Sequence, residues 1–186
     1  MALPRTFVSF SSTDIGYYRM MCAWKGSEDI DFNFADFQLD DAIKSENEYY
    51  IKQICREKIR QTDTFVLLIG NDTYIKTTVV KWQVEVAIEK GCRLIGVNIN
   101  NCRFKDRWLC PYFIADKGAV FVPFSSRIVA EAMKPHRFHL LPGQTRDFHF
   151  FDQIYTELGY QLVGDTAVLP PYPQTFGSAQ RPPSAI

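Results

Sequence analysis

The stretch "TFVLLIGNDTYIKTTVVKWQVEVAIEKGCRLIGVNI", from Thr64 to Ile99, decides the fold class. It begins and ends with short, nearly continuous apolar runs, Thr64 to Gly70 and Arg93 to Ile99, which is the pattern of strands covered on both faces. Between these runs, Val79 to Lys90 has the apolar period of a helix. A strand, a helix and a second strand in this order indicate parallel pairing through a right-handed crossover.

The same alternation continues on both sides of this stretch. Two further apolar runs, Thr6 to Phe10 and Ala119 to Phe124, predict strands. The segment from Glu46 to Gln61 predicts a helix, because its less polar positions fall along one stripe. That stripe contains Tyr50, Ile51, Ile54, Cys55, Lys58 and Ile59. The sequence therefore predicts a three-layer α/β sandwich with a parallel sheet.

Other segments give weaker signals for individual elements. A short strand is expected near Ile30 to Phe34, and a helix that ends at Gly159 is expected to begin near Asp147. Thr13 or Asp14 is suited to cap the helix that follows the first strand, because a short polar side chain can accept a backbone hydrogen bond there. We expect these elements to complete the sheet and its helical layers.

The bulk composition favours one soluble globular domain. Of 186 residues, 46% are apolar and 23% are charged, which fits neither a disordered chain nor a membrane protein. We predict one domain over residues 1–166, followed by a Pro-rich tail over residues 167–186, because the closing segment is too rich in proline to continue a helix or central strand.

Charge and cysteine content exclude several classes of partner. Lys plus Arg equals Asp plus Glu at 21 each, so no net positive field is available to bind nucleic acid. The five cysteines are scattered and form no C-x-x-C pair, so we expect no metal site and reduced thiols. Since neither a signal peptide nor a membrane-spanning run is present, we expect a cytoplasmic protein that does not bind membranes.

Ligands of an open parallel sheet bind beyond the carboxyl ends of its strands. The loop "SFSSTD" follows the first predicted strand, and the loop "NDTY" follows the strand that ends at Gly70. Taken alone, both loops are explained by turn chemistry and helix capping. Neither contains a glycine-rich phosphate-binding motif of the G-x-G-x-x-G or P-loop type.

Helical phase separates the two polar residues of "WQVEV". At about 100° per residue, Gln83 and Glu85 lie on opposite flanks of the buried stripe that we assign to Val80, Val84, Ala87 and Ile88. Apolar neighbours surround Gln83, whereas Glu85 lies near Lys81 on a charged face. Gln83 is therefore predicted to face a ligand, and Glu85 is predicted to be a surface charge.

These residues resemble a known family. "FVSFSSTD", "FADFQLDDAIKSENEYYIKQICREKIRQTDTFVLLIGNDTY" and "VVKWQVEVAIEKGCRLIGVNI" resemble, in order and spacing, the TIR-like domains of bacterial antiphage systems, in particular the Thoeris ThsB group. The resemblance covers Thr6 to Asn100. It implies a flavodoxin-like α/β fold, and an NAD+ glycohydrolase or ADP-ribosyl cyclase activity that releases nicotinamide from NAD+.

The resemblance also implies partners and site residues. NAD+ would be a substrate rather than a cofactor, and a cyclic or conjugated ADP-ribose product would activate a separate effector after a phage component triggers the enzyme. The family's catalytic glutamate aligns with Gln83. The implied nucleotide-binding residues are Phe10, Ser11, Ser12, Asp36, Phe37, Gln38, Asn71 and Tyr74.

Glutamine at the catalytic place has two explanations. It is either an engineered replacement that traps a ligand or the natural residue of a member that binds a nucleotide without turning it over. We favour the first, because the rest of the motif is intact. Glutamine keeps the shape of glutamate but has no negative charge and is a very poor base.

The residues also allow functions other than NAD+ cleavage. The main alternative is a non-catalytic TIR adaptor or nucleotide sensor that acts by self-assembly as a homo-oligomer. A nucleophilic Cys110 paired with a histidine has no support in spacing. His136 and His139 form an H-x-x-H pair without an evident third metal ligand. A phosphoacceptor receiver domain would need an acidic cluster at strand ends that this chain supplies only in part.

Overall fold

The computed structural model describes residues 5–26, 35–36, 48–76, 78–134 and 145–168. Within these residues the main elements are β1 (Arg5–Ser9), α1 (Ile15–Ala23), β2 (Ala35–Asp36), α2 (Glu48–Arg60), β3 (Thr64–Ile69), α3 (Val79–Lys90), β4 (Arg93–Asn98), β5 (Val120–Pro123), α4 (Ser126–Met133), β6 (Phe148–His149), α5 (Asp152–Glu157), β7 (Gln161–Val163) and β8 (Thr166–Val168). None of the helices in these ranges is long and apolar enough to cross a bilayer.

The sheet has the strand order β2-β1-β3-β4-β5-β6, and each neighbouring pair is parallel. The first five strands of this order follow the flavodoxin-like pattern, in which the chain changes direction across the sheet between β1 and β3. β7 and β8 form a separate antiparallel hairpin. The predicted flavodoxin-like α/β fold with a parallel sheet is confirmed.

Two apolar layers cover the sheet, which confirms the three-layer sandwich. On one face, Phe7, Phe65 and Leu67 of the sheet share a core with α2 and α3. On the other face, Val66 and Val97 share a core with α1, α4 and α5. All six residues of β3 are buried, as a central strand covered on both sides requires.

Helix α3 positions Gln83, and the sequence sets both its packing and its end. Val80, Val84 and Ala87 are buried as predicted, but Ile88 is 37% exposed, and Val86 is buried in its place. The prediction for Ile88 was wrong because the apolar stripe is too short to fix the helix rotation to within one residue. Gly91 ends the helix at φ 77°, a left-handed conformation that glycine adopts without strain.

The helix predicted from Asp147 to Gly159 was wrong in its first part. Phe148 and His149 form β6, and the helix is confined to α5. Long-range hydrogen bonds explain the difference. The Asp147 carboxylate accepts from the backbone N–H groups of Asp116 and Ala119, and the Phe148 N–H donates to the Ala119 carbonyl at 2.8 Å.

The helix cap, the short strand and the C-terminal segment predicted from the sequence can each be compared with the structure. Asp14 occupies the N-cap position of α1, but its side chain makes no capping hydrogen bond. The strand expected near Ile30 to Phe34 lies outside the described residues, and β2 follows directly after it. Helix α4 was not predicted from the sequence. At the other end, β8 extends to Val168, and residues 169–186 lie outside the described part of the chain.

Gly96 offers a test of packing at the centre of the sheet. A Cβ at this position would lie 2.7 Å from the Phe121 ring, which is the cross-strand neighbour of Gly96. We expect Gly96→Ala to lower the free energy of unfolding by about 1–3 kcal/mol, because the Phe121 ring must shift in a closely packed core. Urea unfolding followed by circular dichroism measures the change.

Gly16→Ala is the matched control. No atom lies within 4 Å of a Cβ added to Gly16 in α1. Alanine is the better helix former by about 0.5–1 kcal/mol, so this variant should be slightly more stable than the parent. Equal midpoints for the two variants would contradict the close contact at Gly96.

Candidate functional site

Gln83 lies at the carboxyl end of β1, where the strand order changes direction. The Ser9 hydroxyl donates a hydrogen bond to Gln83 Oε1 at 2.7 Å, and Gln83 Nε2 donates to Cys55 Sγ at 3.3 Å. The amide therefore connects β1, α3 and α2. In flavodoxin-like folds this edge of the sheet, between β1 and β3, is the ligand-binding position.

The two partners of Gln83 are buried, whereas Gln83 itself is only partly so. Ser9 is the last residue of β1 and 1% exposed, and Cys55 is fully buried on the inner stripe of α2. Burial raises the pKa of the Cys55 thiol, and the bond from Gln83 offsets this only in part. Cys55 therefore stays a protonated thiol at neutral pH.

Glu85 is on a different face of α3, as the helical phase predicts. Its carboxylate lies 3.8 Å from Lys81 Nζ, and its side chain is 55% exposed. An exposed pair at i and i+4 contributes little to stability. Glu85 is thus a surface charge with no contact to Ser9, and position 83 is where α3 reaches the ligand-binding edge.

The loop after β1 contains three predicted ligand residues, which differ in their exposure and in their contacts. The Phe10 ring stacks on Tyr18 of α1 at 4.9 Å between centroids and packs with the core on the α1 side of the sheet. Ser11 is 1% exposed, and its hydroxyl donates to Asp72 Oδ2 at 3.0 Å. Ser12 is exposed. In this structure Phe10 and Ser11 support the loop, and Ser12 presents a free surface.

The loop after β3 is joined to the loop after β1. Asp72 accepts from Ser11 and also from the Thr13 hydroxyl, at 2.9 Å, and lies 3.4 Å from Lys76 Nζ. Asn71 is exposed and Tyr74 is 45% exposed, so both predicted ligand residues are accessible at this edge. Asp72, which joins the two loops, was not predicted as a site residue from the sequence.

Asp14 forms a second connection between these loops. Asp14 is 8% exposed, and its carboxylate lies so close to Gly70 that a Cβ there would be 2.2 Å from Asp14 Oδ2. Burial and the nearby Asp72 carboxylate raise the pKa of Asp14, while Thr73 and Lys76 offset this in part. Gly70 is therefore required by the close approach of Asp14.

The remaining predicted residues fall at the edge of the described structure or beyond it. The backbone of Asp36 pairs with Thr6 of β1, which places β2 beside the strand that ends at Ser9. Phe37 and Gln38 lie outside the described residues. The structure therefore brings Gln83 and the two loops to the carboxyl edge of the sheet, whereas Asp36 is level with Thr6, three residues before Ser9.

The alternative chemistry considered from the sequence gains no support. Burial, together with the nearby Asp147 carboxylate, raises the pKa of Cys110 to about 12, which opposes a reactive thiolate. His136 and His139 lie outside the described residues. Among the residues that are described, no three His, Cys, Asp or Glu side chains are grouped to hold a metal ion.

Asp14 and Asp72 should affect stability with opposite dependence on pH. Burial alone would raise the pKa of Asp72, but hydrogen bonds from Ser11, Thr13 and Lys76 outweigh it and lower the pKa. The raised pKa of Asp14 means that its folded form binds the proton more tightly, so stability falls as pH rises from 3.8 through the raised value. The Asp72 contribution is present above 3.8 and is lost as pH falls through its lowered pKa.

Paired variants test these signs. Relative to the parent, Asp14→Asn should become more stable as pH rises above 3.8. Asp72→Asn should become less stable than the parent as pH rises from the lowered pKa of Asp72 to 3.8. Urea unfolding at a series of pH values gives both difference curves. Slopes of the same sign for the two variants would show that the electrostatic assignment of the loops is wrong.

Comparison with known proteins identifies the family. The family model described as Thoeris protein ThsB, TIR-like domain, matches residues 7–103, just over half of the 186-residue chain. This range contains the last three residues of β1, all of β2 to β4, and both loops of the site, including Ser9, Cys55, Asp72 and Gln83. A search of curated proteins found no significant match. With the flavodoxin-like sheet already established, the matched range shows that the chain belongs to the Thoeris ThsB family of TIR-like domains, which are modules of antiphage defence.

Proposed function

We propose that this chain is an NAD+-processing module of antiphage defence, of the NAD+ glycohydrolase or ADP-ribosyl cyclase type, in which Gln83 impairs turnover. NAD+ is the substrate and not a resident cofactor. The observation that carries the proposal is the position of Gln83, which Ser9 and Cys55 hold at the edge of the sheet where ligands of such folds bind. The resemblance to the family aligns the catalytic glutamate with this residue.

Cleavage of NAD+ breaks the bond between ribose C1′ and the nicotinamide nitrogen. The electron pair of that bond leaves with nicotinamide, which changes from a pyridinium cation to a neutral base, and positive charge develops on the ribose. A carboxylate at position 83 stabilises this charge and binds the ribose hydroxyls. Attack by water gives ADP-ribose, while attack by a group of the same molecule gives a cyclic product.

Glutamine at position 83 preserves binding and removes the charge. The amide accepts and donates hydrogen bonds in nearly the volume of a carboxylate, so a ribose hydroxyl can still bond to it. It carries no negative charge to oppose the positive charge on the ribose. We therefore infer a chain that binds the nucleotide and turns it over slowly.

The exposed residues of the two loops supply candidate contacts to the nucleotide. Ser12, Asn71 and Tyr74 present polar groups at the carboxyl edge of the sheet. Asp36, Phe37 and Gln38 remain proposed contacts from the β2 side. Phe10 and Ser11 act through the loop, because Phe10 stacks on Tyr18 and Ser11 bonds to Asp72.

The cellular role follows from the same proposal. The cyclic or conjugated ADP-ribose product activates a separate effector, a phage component triggers synthesis, and copies of the chain assemble as a homo-oligomer. A cytoplasmic location fits these partners, and it fits the five cysteines, none of which forms a disulfide.

Release of nicotinamide from NAD+ tests the proposal directly. The parent chain should release it slowly, and Gln83→Glu should raise kcat at least about 100-fold, because a charge that stabilises the transition state is restored. Nicotinamide is quantified by chromatography, with and without extract from infected cells. Gln83→Glu combined with Glu85→Gln is the matched control and should keep the gain, since Glu85 lies on the opposite flank of α3.

The adaptor alternative makes the contrary prediction. An uncharged residue at position 83 is also what a nucleotide sensor or assembly module would have, since neither needs a base. If the parent and Gln83→Glu are both silent in infected extract while both self-associate in analytical ultracentrifugation, the enzymatic proposal is wrong and the adaptor takes its place.

A further inference from the structure

Ser9 contacts position 83 from a rigid part of the fold. It pairs with Leu67 of the fully buried strand β3, and only 1% of its surface is exposed. Gln83 is equally constrained at its backbone, because Val84 and Ala87 beside it are fully buried. The 2.7 Å bond between them therefore joins two elements that packing already holds in place.

The two hydrogen-bond partners of Gln83 differ in how strongly they donate and accept. A serine hydroxyl is a full hydrogen-bond donor, whereas a thiol is a weak donor and a weak acceptor. Gln83 uses this difference, since its oxygen accepts from Ser9 and its nitrogen donates to Cys55. With a carboxylate at position 83, the Ser9 bond becomes charge-assisted and stronger, while Cys55 must reverse its role and donate weakly.

From this geometry we propose that Ser9 is a positioning residue, whose buried hydroxyl orients the side chain at position 83 toward the nucleotide and keeps a carboxylate there in its charged form. This inference rests on the proposed function, since the reaction requires that charge. Ser9 does not contact the reacting atoms in this proposal. In the described part of the chain, the one ionisable group bonded to Gln83 is the Cys55 thiol.

Titration of the carboxylate tests the inference without reference to activity. In Gln83→Glu, the pKa of the new carboxyl is followed by its ¹³C chemical shift. Adding Ser9→Ala should raise that pKa by about one pH unit, because a donor to the charged form is lost. Thr62→Val is the matched control: it removes a buried hydroxyl that bonds to Ile59 at the opposite edge of the sheet, and it should leave the pKa unchanged.

Kinetics separate a positioning role from a structural one. In Gln83→Glu, adding Ser9→Ala should lower kcat about tenfold with little change in KM, and the acidic limb of the pH profile should move upward with the pKa. Ser9→Thr restores a hydroxyl and should recover most of the loss. It also serves as the second test if Ser9→Ala fails to fold.

The outcomes for Ser9 and for the proposed function are distinguishable. A folded Ser9→Ala variant whose position-83 pKa equals that of Gln83→Glu alone overturns the inference, whatever the activity. A raised pKa without nicotinamide release from Gln83→Glu supports the orienting role of Ser9 and overturns NAD+ cleavage. A similar pKa change in Thr62→Val shows a general packing effect and also overturns the inference.

Discussion

The parallel pairing of β1 with β3 is the interaction on which the rest of the structure depends. It aligns Ser9 with Leu67 and so brings the carboxyl ends of both strands to the same edge of the sheet. The strand order reverses at this pair, which separates the loops on either side and leaves room for a ligand. Helices α2 and α3 cover the same side of the sheet, so Gln83 reaches Ser9, and Cys55 reaches Gln83.

Polar contacts fix the loops that the pairing brings together. Asp72 accepts from Ser11 and Thr13, and Asp14 packs on Gly70, so the two loops are joined by buried or half-buried groups. Hydrogen bonds to a charged acceptor are stronger than those between neutral groups. The loops are therefore held by their less exposed residues, while Ser12, Asn71 and Tyr74 are left accessible.

The sequence predicted those features that depend on local pattern. The strands β1, β3, β4 and β5 are buried on both faces, so their apolar runs were visible without knowledge of the fold. The phase of α3 separated Gln83 from Glu85 because a helix has a fixed period. The same argument failed for Ile88, since a short apolar stripe does not fix the helix rotation to within one residue and Val86 is buried instead.

Features that depend on distant partners were not predictable in this way. Phe148 is a strand residue because its N–H meets the Ala119 carbonyl, and a local apolar pattern does not contain that information. Ser9 and Gln83 are 74 residues apart in the chain, and Cys55 comes from a third element. Asp14 is similar: its sequence position suggested a helix cap, but its carboxylate instead packs against Gly70.

The surroundings of position 83 bear on whether a carboxylate fits there. The Ser9 hydroxyl can donate to an amide oxygen or a carboxylate oxygen without moving, and the Cys55 sulfur can accept from an amide or donate to a carboxylate by rotating its hydrogen. A fixed acceptor in place of Cys55 would face a carboxylate with no donor between them, which would oppose glutamate at this position. Ser9 and Cys55 can therefore bond to either residue, and the main difference between the two is the charge that position 83 presents to a ligand.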